Sequence, residues 1–157
     1  MSVTDEILAE ADAALAAAQE GDSRARLDAI TKFMLSFERL AREVASGAVT
    51  WDELRPWAVR RVEWLCSAHD ALTDWEFEIG QIFYHGGEED AERALRRRSQ
   101  HALAREMFRD TAAEDMLAAY EDEEVDREFR NEAERIAIDA LDWVPSSHTW
   151  WRRQQWQ

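Results

Sequence analysis

The sequence predicts an all-α fold, a compact bundle of five or six helices. Alanine, the best helix former, accounts for 26 of the 157 residues, whereas the chain has only five Gly and two Pro. Apolar side chains recur at intervals of three and four residues through most of the chain, as on the buried side of a helix. Eight Trp can fill the core of such a bundle. We therefore expect residues 1–145 to form a single helical domain, followed by a Trp- and Arg-rich tail over residues 146–157.

The first helix is predicted to begin at Ser2, because Ser2 and Asp5 have the spacing of a capping box. Carboxylates in its first turn also interact favourably with the helix dipole. Its apolar positions recur at helical spacing from Ile7 to Ala18, and Gly21 is expected to end it.

A second helix follows, capped by Asp22 or Ser23. Its apolar positions alternate between three and four residues apart: Leu27, Ile30, Met34, Phe37, Ala41 and Val44. This spacing indicates the seam of a helical bundle, filled either from within the chain or by helix two of a second copy in a homodimer. Gly47 is expected to end this helix.

Thr50 and Glu53 form another capping box, which predicts the start of the third helix. Pro56 is tolerated in the first turn of a helix. The apolar positions that follow keep helical spacing to about Ala68, so we expect one continuous helix up to that residue.

Residues 75–85 fit two structures. Trp75, Phe77 and Ile79 alternate with glutamates, as in a half-buried strand, and the Gly-Gln pair that follows could turn a short β-hairpin. An isolated hairpin is only marginally stable in water. We therefore favour a short helix that begins at Asp74 and keep the hairpin as the alternative.

Three more helices are predicted in the second half of the chain. Two glycines precede a fourth helix over about residues 88–109. Thr111 is the first residue of a capping box and predicts a fifth helix. The sixth helix has apolar positions at helical spacing from Val125 to Leu141, and Pro145 is expected to stop it.

The net charge of −15 is unevenly distributed along the chain. Residues 73–92 carry −7 and residues 110–145 carry −10, whereas residues 93–109 carry +5. The helix dipole explains the carboxylates in first helical turns, and ion pairing explains those that precede an Arg by one turn. Eight other acids are predicted to be unpaired in the last third: Asp115, Glu121, Asp122, Glu128, Glu132, Glu134, Asp139 and Asp142.

This surplus of acid makes nucleic acid and anionic membranes poor partners. It indicates instead a protein partner with a basic surface, such as the nucleic-acid groove of another protein, where carboxylates replace phosphates. A solvated acidic face that only keeps the protein soluble explains the same pattern and is the simpler interpretation.

The predicted fourth helix carries a basic cluster: Arg93, Arg96, Arg97, Arg98, Arg105 and Arg109. Such a cluster could bind phosphate. Two observations favour neutralisation within the chain. An acid one turn before an arginine can pair with it, as Glu92 with Arg96 and Asp126 with Arg130, and acidic helices are expected beside the cluster.

The tail concentrates interface-type residues: Trp150, Trp151, Arg152, Arg153 and Trp156. Because Trp and Arg are enriched at binding hot spots, these five residues and the eight acids are the candidate partner-binding residues. In the favoured alternative the tail folds back and buries its indoles, since three exposed Trp would promote aggregation.

The sequence contains no recognised motif for catalysis, metal or cofactor binding. No two His are four residues apart, no Glu lies three residues before a His, and no nucleophile elbow or phosphate-binding glycine loop occurs. Cys66, the single cysteine, is expected to be a buried and inert thiol. We therefore predict no catalytic residue, no metal ligand and no cofactor.

These patterns predict a non-catalytic acidic binding protein, an inhibitor or regulator that docks on a basic surface of a partner protein. Phage anti-defence proteins of the anti-CRISPR or anti-restriction type, antitoxins and immunity proteins share this size and charge. The alternative is a self-associating adaptor. The single Cys and the absence of a secretory signal or membrane-spanning run predict a cytoplasmic protein. Arg provides 18 of the 19 basic residues, which hints at a bacterial or phage gene.

Overall fold

The computed structural model describes residues 1–120 and 123–153. Within these ranges it contains seven α-helices, a 3-10 helix over Asp115–Tyr120 and no β-strand, which confirms the predicted all-α fold. The helices are α1 Val3–Ala17, α2 Ser23–Ala45, α3 Trp51–Val59, α4 Val62–Ser67, α5 His69–His85, α6 Glu88–Met107 and α7 Glu123–Arg135. No helix in the described ranges has both the length and the apolar character needed to cross a lipid bilayer.

Three predicted helix starts are confirmed by their capping hydrogen bonds. The Ser2 hydroxyl accepts from the Asp5 N–H at 3.1 Å, and the Asp5 carboxylate accepts from the Ser2 N–H at 3.3 Å. Asp22 accepts the N–H three residues further on at 2.8 Å and so starts α2. Thr50 accepts the Glu53 N–H at 3.2 Å and starts α3. Each cap satisfies a backbone donor that the helix itself leaves open.

Helix α2 lies at the centre of the bundle and packs against α1, α5 and α6. Four residues of its predicted seam are buried: Ile30, Met34, Phe37 and Ala41. Phe37 meets Phe33 edge to face at 5.5 Å between ring centroids and lies 6.2 Å from Phe108. The seam is thus filled from within the chain.

Residues 75–85 lie inside α5, so the predicted alternative of a β-hairpin is wrong. In this helix Leu72, Trp75 and Ile79 are buried at intervals of three and four residues. Phe77, which would face inward with Trp75 in a strand, is largely exposed. The alternating pattern arose because one aromatic residue on the outer side of a helix falls between two buried residues.

The predicted third helix is interrupted at Arg60 and Arg61 and forms α3 and α4. Arg61 reaches α1, where its guanidinium donates to the two carboxylate oxygens of Asp12 at 2.7 and 2.6 Å. The indole N–H of Trp57 donates to Asp12 as well, at 2.9 Å. These bonds hold the turn between α3 and α4 against α1.

The last third differs most from the prediction. The fifth predicted helix is reduced to the 3-10 helix, and α7 ends at Arg135, well before the proline that was expected to stop it. The helix ends in a Schellman motif, in which Ile138 N–H donates to the Ala133 carbonyl at 2.8 Å and Ala137 N–H donates to the Glu134 carbonyl at 3.3 Å. Ala137 has a φ of 57°, a conformation that usually requires Gly. No residue type therefore marks this helix end in the sequence.

Candidate protein-binding face

Three arginines of the basic cluster on α6 are neutralised by residues of other helices. The pairs are Arg96 with Glu38, Arg97 with Glu78 and Arg98 with Asp126. The expected helical pairs of Glu92 with Arg96 and of Asp126 with Arg130 are wrong. Arg96 pairs with Glu38 instead, and Asp126 pairs with Arg98. The cluster therefore fastens α2, α5 and α7 to α6.

Glu38 of α2, the partner of Arg96, is buried, with 2% of its surface accessible. Arg96 donates to it through Nε at 2.9 Å and through a second nitrogen, Arg42 donates at 3.2 Å and Gln100 at 3.3 Å. The hydrogen bond to Glu38 raises the pKa of Arg96. The carboxylate thus has the several partners that a buried charge requires.

The tail folds back onto α6 and buries Trp150 and Trp151. The Ser99 hydroxyl oxygen accepts from the indole N–H of Trp151 at 2.8 Å and from that of Trp150 at 3.2 Å. The same oxygen lies 2.9 Å from His148 Nδ1. Because the two indoles occupy its lone pairs, the hydroxyl donates its hydrogen to Nδ1. The favoured fold-back is found, and neither indole belongs to an exposed surface.

Arg98 and His148 cover the indole of Trp150. The Arg98 guanidinium lies 4.0 Å from the centroid of this ring and donates to the two oxygens of Asp126 at 2.9 and 3.1 Å. The His148 ring stacks on Trp150 at 4.5 Å between centroids. Burial, reinforced by Arg98 and Arg153, lowers the pKa of His148 to about 3, so the imidazole is neutral at pH 7.

The two tail arginines bond to residues in or close to the tail. Arg152 pairs with Asp139 at 3.6 Å, and its carbonyl accepts the Ala140 N–H at 3.0 Å. Arg153 donates to the backbone carbonyls of Pro145 and His148 at 2.7 and 2.6 Å. Trp156, the remaining predicted partner-binding residue of the tail, lies outside the described residues. The described tail thus acts as part of the fold.

The predicted acidic surface of the last third is smaller than expected. Two of the eight acids are paired: Glu132 with Arg135, and Asp139 with Arg152. The hydrogen bond from Arg135 lowers the pKa of Glu132. Four are exposed and have no Lys or Arg partner in the described ranges: Asp115, Glu128, Glu134 and Asp142. Glu121 and Asp122 lie outside the described residues.

A second acidic surface lies on the outer side of α5, where the sequence predicted no partner-binding residue. Phe77 is 65% exposed and Tyr84, two turns further along the helix, is 59% exposed. The hydroxyl of Tyr84 donates to the Glu128 carboxylate of α7, which joins the two helices. We define the α5–α7 face by six exposed residues. Five lie at helical spacing along α5, and the sixth is the α7 residue that Tyr84 contacts: Asp70, Asp74, Phe77, Gln81, Tyr84 and Glu128.

Negative charge and aromatic surface coincide on the α5–α7 face. From residue 69 to residue 92 the chain has eight Asp or Glu and no Lys or Arg. Glu78 is one of these acids, and Arg97 of α6 donates to its carboxylate at 2.8 Å. Asp74, on the outer side, has no Lys or Arg partner among the described residues. The local charge was visible in the sequence. The favoured helix over this segment left its inner and outer sides unassigned, and only the hairpin alternative put Phe77 on the same side as Trp75.

A carboxylate and an imidazole also meet inside the bundle. Glu76 of α5 and His101 of α6 are both buried, with 2.9 Å between Oε2 and Nε2. Burial lowers the pKa of His101 despite this neighbour, so a neutral ring donates its Nε2 hydrogen to the carboxylate. Trp75 lies parallel to the His101 ring at 6.3 Å. Because both groups are buried, we interpret this hydrogen bond as a contact that stabilises the packing of α5 against α6.

No family model, curated protein or solved structure matches this chain. Its candidate site is therefore inferred from its own residues. In residues 1–120 and 123–153, no three His, Cys, Asp or Glu side chains are grouped so that they could hold a metal ion. The α5–α7 face offers exposed aromatic rings among carboxylates, a combination suited to binding a protein surface that carries positive charge around an apolar centre.

Proposed function

We propose that this protein is a non-catalytic acidic binding protein, an inhibitor or regulator that docks on a basic surface of a partner protein. The observation that carries the proposal is the exposure of Phe77 and Tyr84 on a side of α5 that has acids and no Lys or Arg. Buried aromatic anchors supply much of the energy of an interface, and surrounding charges govern its specificity and association rate.

The α5–α7 face carries this role better than the tail. The indoles of Trp150 and Trp151 are committed to Ser99 and would have to leave the core to reach a partner. Phe77 and Tyr84 meet solvent without any rearrangement. The exposed acids of the last third, Glu128 above all, extend the same negative field towards α7.

A basic surface on a bacterial protein commonly serves nucleic acid, because neutralising phosphates provides most of its affinity. An acidic protein that covers such a surface inhibits by competition. We therefore place this protein among cytoplasmic inhibitors of the anti-CRISPR, anti-restriction, antitoxin or immunity type, encoded by a bacterium or its phage. This placement rests on charge and exposed aromatic surface.

Affinity capture from a nuclease-treated bacterial lysate tests the proposal, with the full chain as bait. Phe77→Ser removes the aromatic anchor, and Trp64→Ser is the matched control because Trp64 is 48% exposed on α4, outside the α5–α7 face. We expect wild type and the control to retain one basic protein that Phe77→Ser loses and that added salt releases. Equal capture by Phe77→Ser, or a complex insensitive to salt, would contradict the proposal.

Competition identifies the surface that is covered. If the partner binds duplex DNA or RNA, increasing amounts of that nucleic acid should displace the captured partner from wild-type bait. A ternary complex of bait, partner and nucleic acid would place the contact elsewhere on the partner and rule out mimicry of nucleic acid.

A further inference from the structure

A cleft of about 730 Å³ lies between α6, the start of α7, the tail and Trp51 of α3. Its apolar lining includes Leu103 and Met107 of α6, and Glu123 of α7 contributes a carboxylate. His148 of the tail completes one wall. The volume falls within the range of about 300–1,000 Å³ that is typical of small-ligand sites, which also combine apolar walls with a few polar groups.

His148 presents an unused donor in this cleft. The residue is 6% exposed, and its Nδ1 accepts the hydrogen of the Ser99 hydroxyl, whose lone pairs are taken by two indoles. The ring hydrogen is therefore on Nε2. No acceptor in the described part of the chain bonds to Nε2. This N–H is therefore free to donate to a ligand that brings an oxygen to this position in the cleft.

The charges around the cleft restrict that ligand. Asp126 is occupied by Arg98, and Glu106 is paired with Arg109 at 2.7 Å. Glu123 is exposed at the first residue of α7 and has no Lys or Arg partner among the described residues. A carboxylate or phosphate would be repelled by this acid, whereas a carbonyl oxygen is compatible with it. A positive group on the ligand would be attracted to it.

We propose that the cleft binds a cationic carbonyl compound with an apolar body. The carbonyl oxygen accepts from His148 Nε2, the apolar body contacts Leu103 and Met107, and Glu123 attracts the positive group. A free amino-acid amide and a peptide segment with an apolar residue beside a basic one share this chemistry. The proposal is independent of the α5–α7 face and holds whether or not that face binds a partner.

Nuclear magnetic resonance titration of the full ¹⁵N-labelled chain tests the site. The probes are leucinamide as the free amide, acetyl-Leu-Arg-amide as the peptide and acetyl-Leu-Glu-amide as its anionic counterpart. We expect saturable shifts of the Trp51 indole N–H and the His148 ring nitrogens with at least one cationic probe and none with the anionic one. The cationic probe that binds more tightly identifies the source of the ligand.

Two variants of α7 separate this site from general charge attraction. Glu123→Gln removes the carboxylate of the cleft, and Glu134→Gln makes the same change at an exposed position elsewhere on the helix. We expect Glu123→Gln to weaken binding by up to about fivefold and Glu134→Gln to leave it unchanged. No saturable shifts with either cationic probe, equal binding of the anionic probe, or equal affinities of the two variants would overturn the proposal.

Discussion

The hydroxyl oxygen of Ser99 lies 2.8 Å from the indole nitrogen of Trp151 and so ties the tail to the middle of α6. Trp150 and His148 bond to the same oxygen. One serine therefore satisfies three polar groups of the tail in a buried position. Apolar packing alone would leave two indole N–H groups without acceptors, which makes the tail dependent on this residue.

Ser99→Ala should lower the free energy of unfolding by about 2–4 kcal/mol, because two buried indole N–H groups lose their acceptor. Urea denaturation measures the change. Ser67→Ala is the control, since the Ser67 hydroxyl is exposed and bonds only to a backbone carbonyl of its own helix, and its effect should stay within about 0.5 kcal/mol. Equal stability of Ser99→Ala and wild type would show that the tail does not depend on this hydroxyl.

His148 predicts a loss of stability in mild acid. Its pKa is about 3 in the folded chain, compared with an ordinary value of 6.5. Between these values the unfolded chain binds the additional proton, so stability is complete above pH 6.5 and falls as the pH decreases. The expected contribution is about 1.4 kcal/mol per pH unit. His148→Gln should reduce the slope of unfolding free energy between pH 7 and 5.

The control for this pH dependence is His69→Gln, since His69 is exposed at the start of α5. It should leave the slope as in wild type. An unchanged slope in His148→Gln would mean that the imidazole is not held neutral by its burial against Arg98.

Glu38→Ala should destabilise the fold by about 3–5 kcal/mol, because it leaves Arg96 in a partly buried position without its main partner. Glu10→Ala provides a matched control, since Glu10 forms a largely exposed ion pair with Arg39 that should contribute less than about 1 kcal/mol. Chemical denaturation of both variants checks the difference. Equal effects would contradict the central position assigned to Glu38.

Phe77→Ser should change the free energy of unfolding by less than about 0.5 kcal/mol, because the ring is mostly in solvent. Ile79→Ala, two residues further along α5, should lower it by about 2–5 kcal/mol, because Ile79 is buried. Thermal or urea unfolding of the two variants distinguishes the sides of the helix. A large loss in Phe77→Ser would mean that this ring supports the fold and is not free to bind a partner.

The parts of the fold that sequence predicted correctly depend on residues close together in the chain. The caps at Ser2, Asp22 and Thr50 and the seam of α2 are local patterns with one physical meaning. The end of α7 could not be predicted, because Ala137 adopts the left-handed conformation without being Gly. The two backbone hydrogen bonds of the Schellman motif stabilise this end, and they leave no mark in the residue types.

The candidate site was only partly predictable for a related reason. Charge along the sequence showed where acids concentrate, but the partner of each acid is set by tertiary structure. Asp126 thus belongs to Arg98, and Asp139 to Arg152, although both acids lie in the most acidic segment. The exposed side of α5 was not predicted, because the apolar residues from Trp75 to Ile79 fit a strand and a helix equally well, so the sequence did not separate Phe77 from the buried residues.

The most direct test of the binding account is the dissociation constant of the captured partner, measured at increasing NaCl concentrations for wild type and Phe77→Ser. We expect the constant for wild type to rise steadily with salt, since exposed charges are screened. Loss of an aromatic anchor should weaken binding by about thirtyfold at low salt. A constant that is independent of salt, or the same for both proteins, would contradict the assignment of the α5–α7 face as the binding surface.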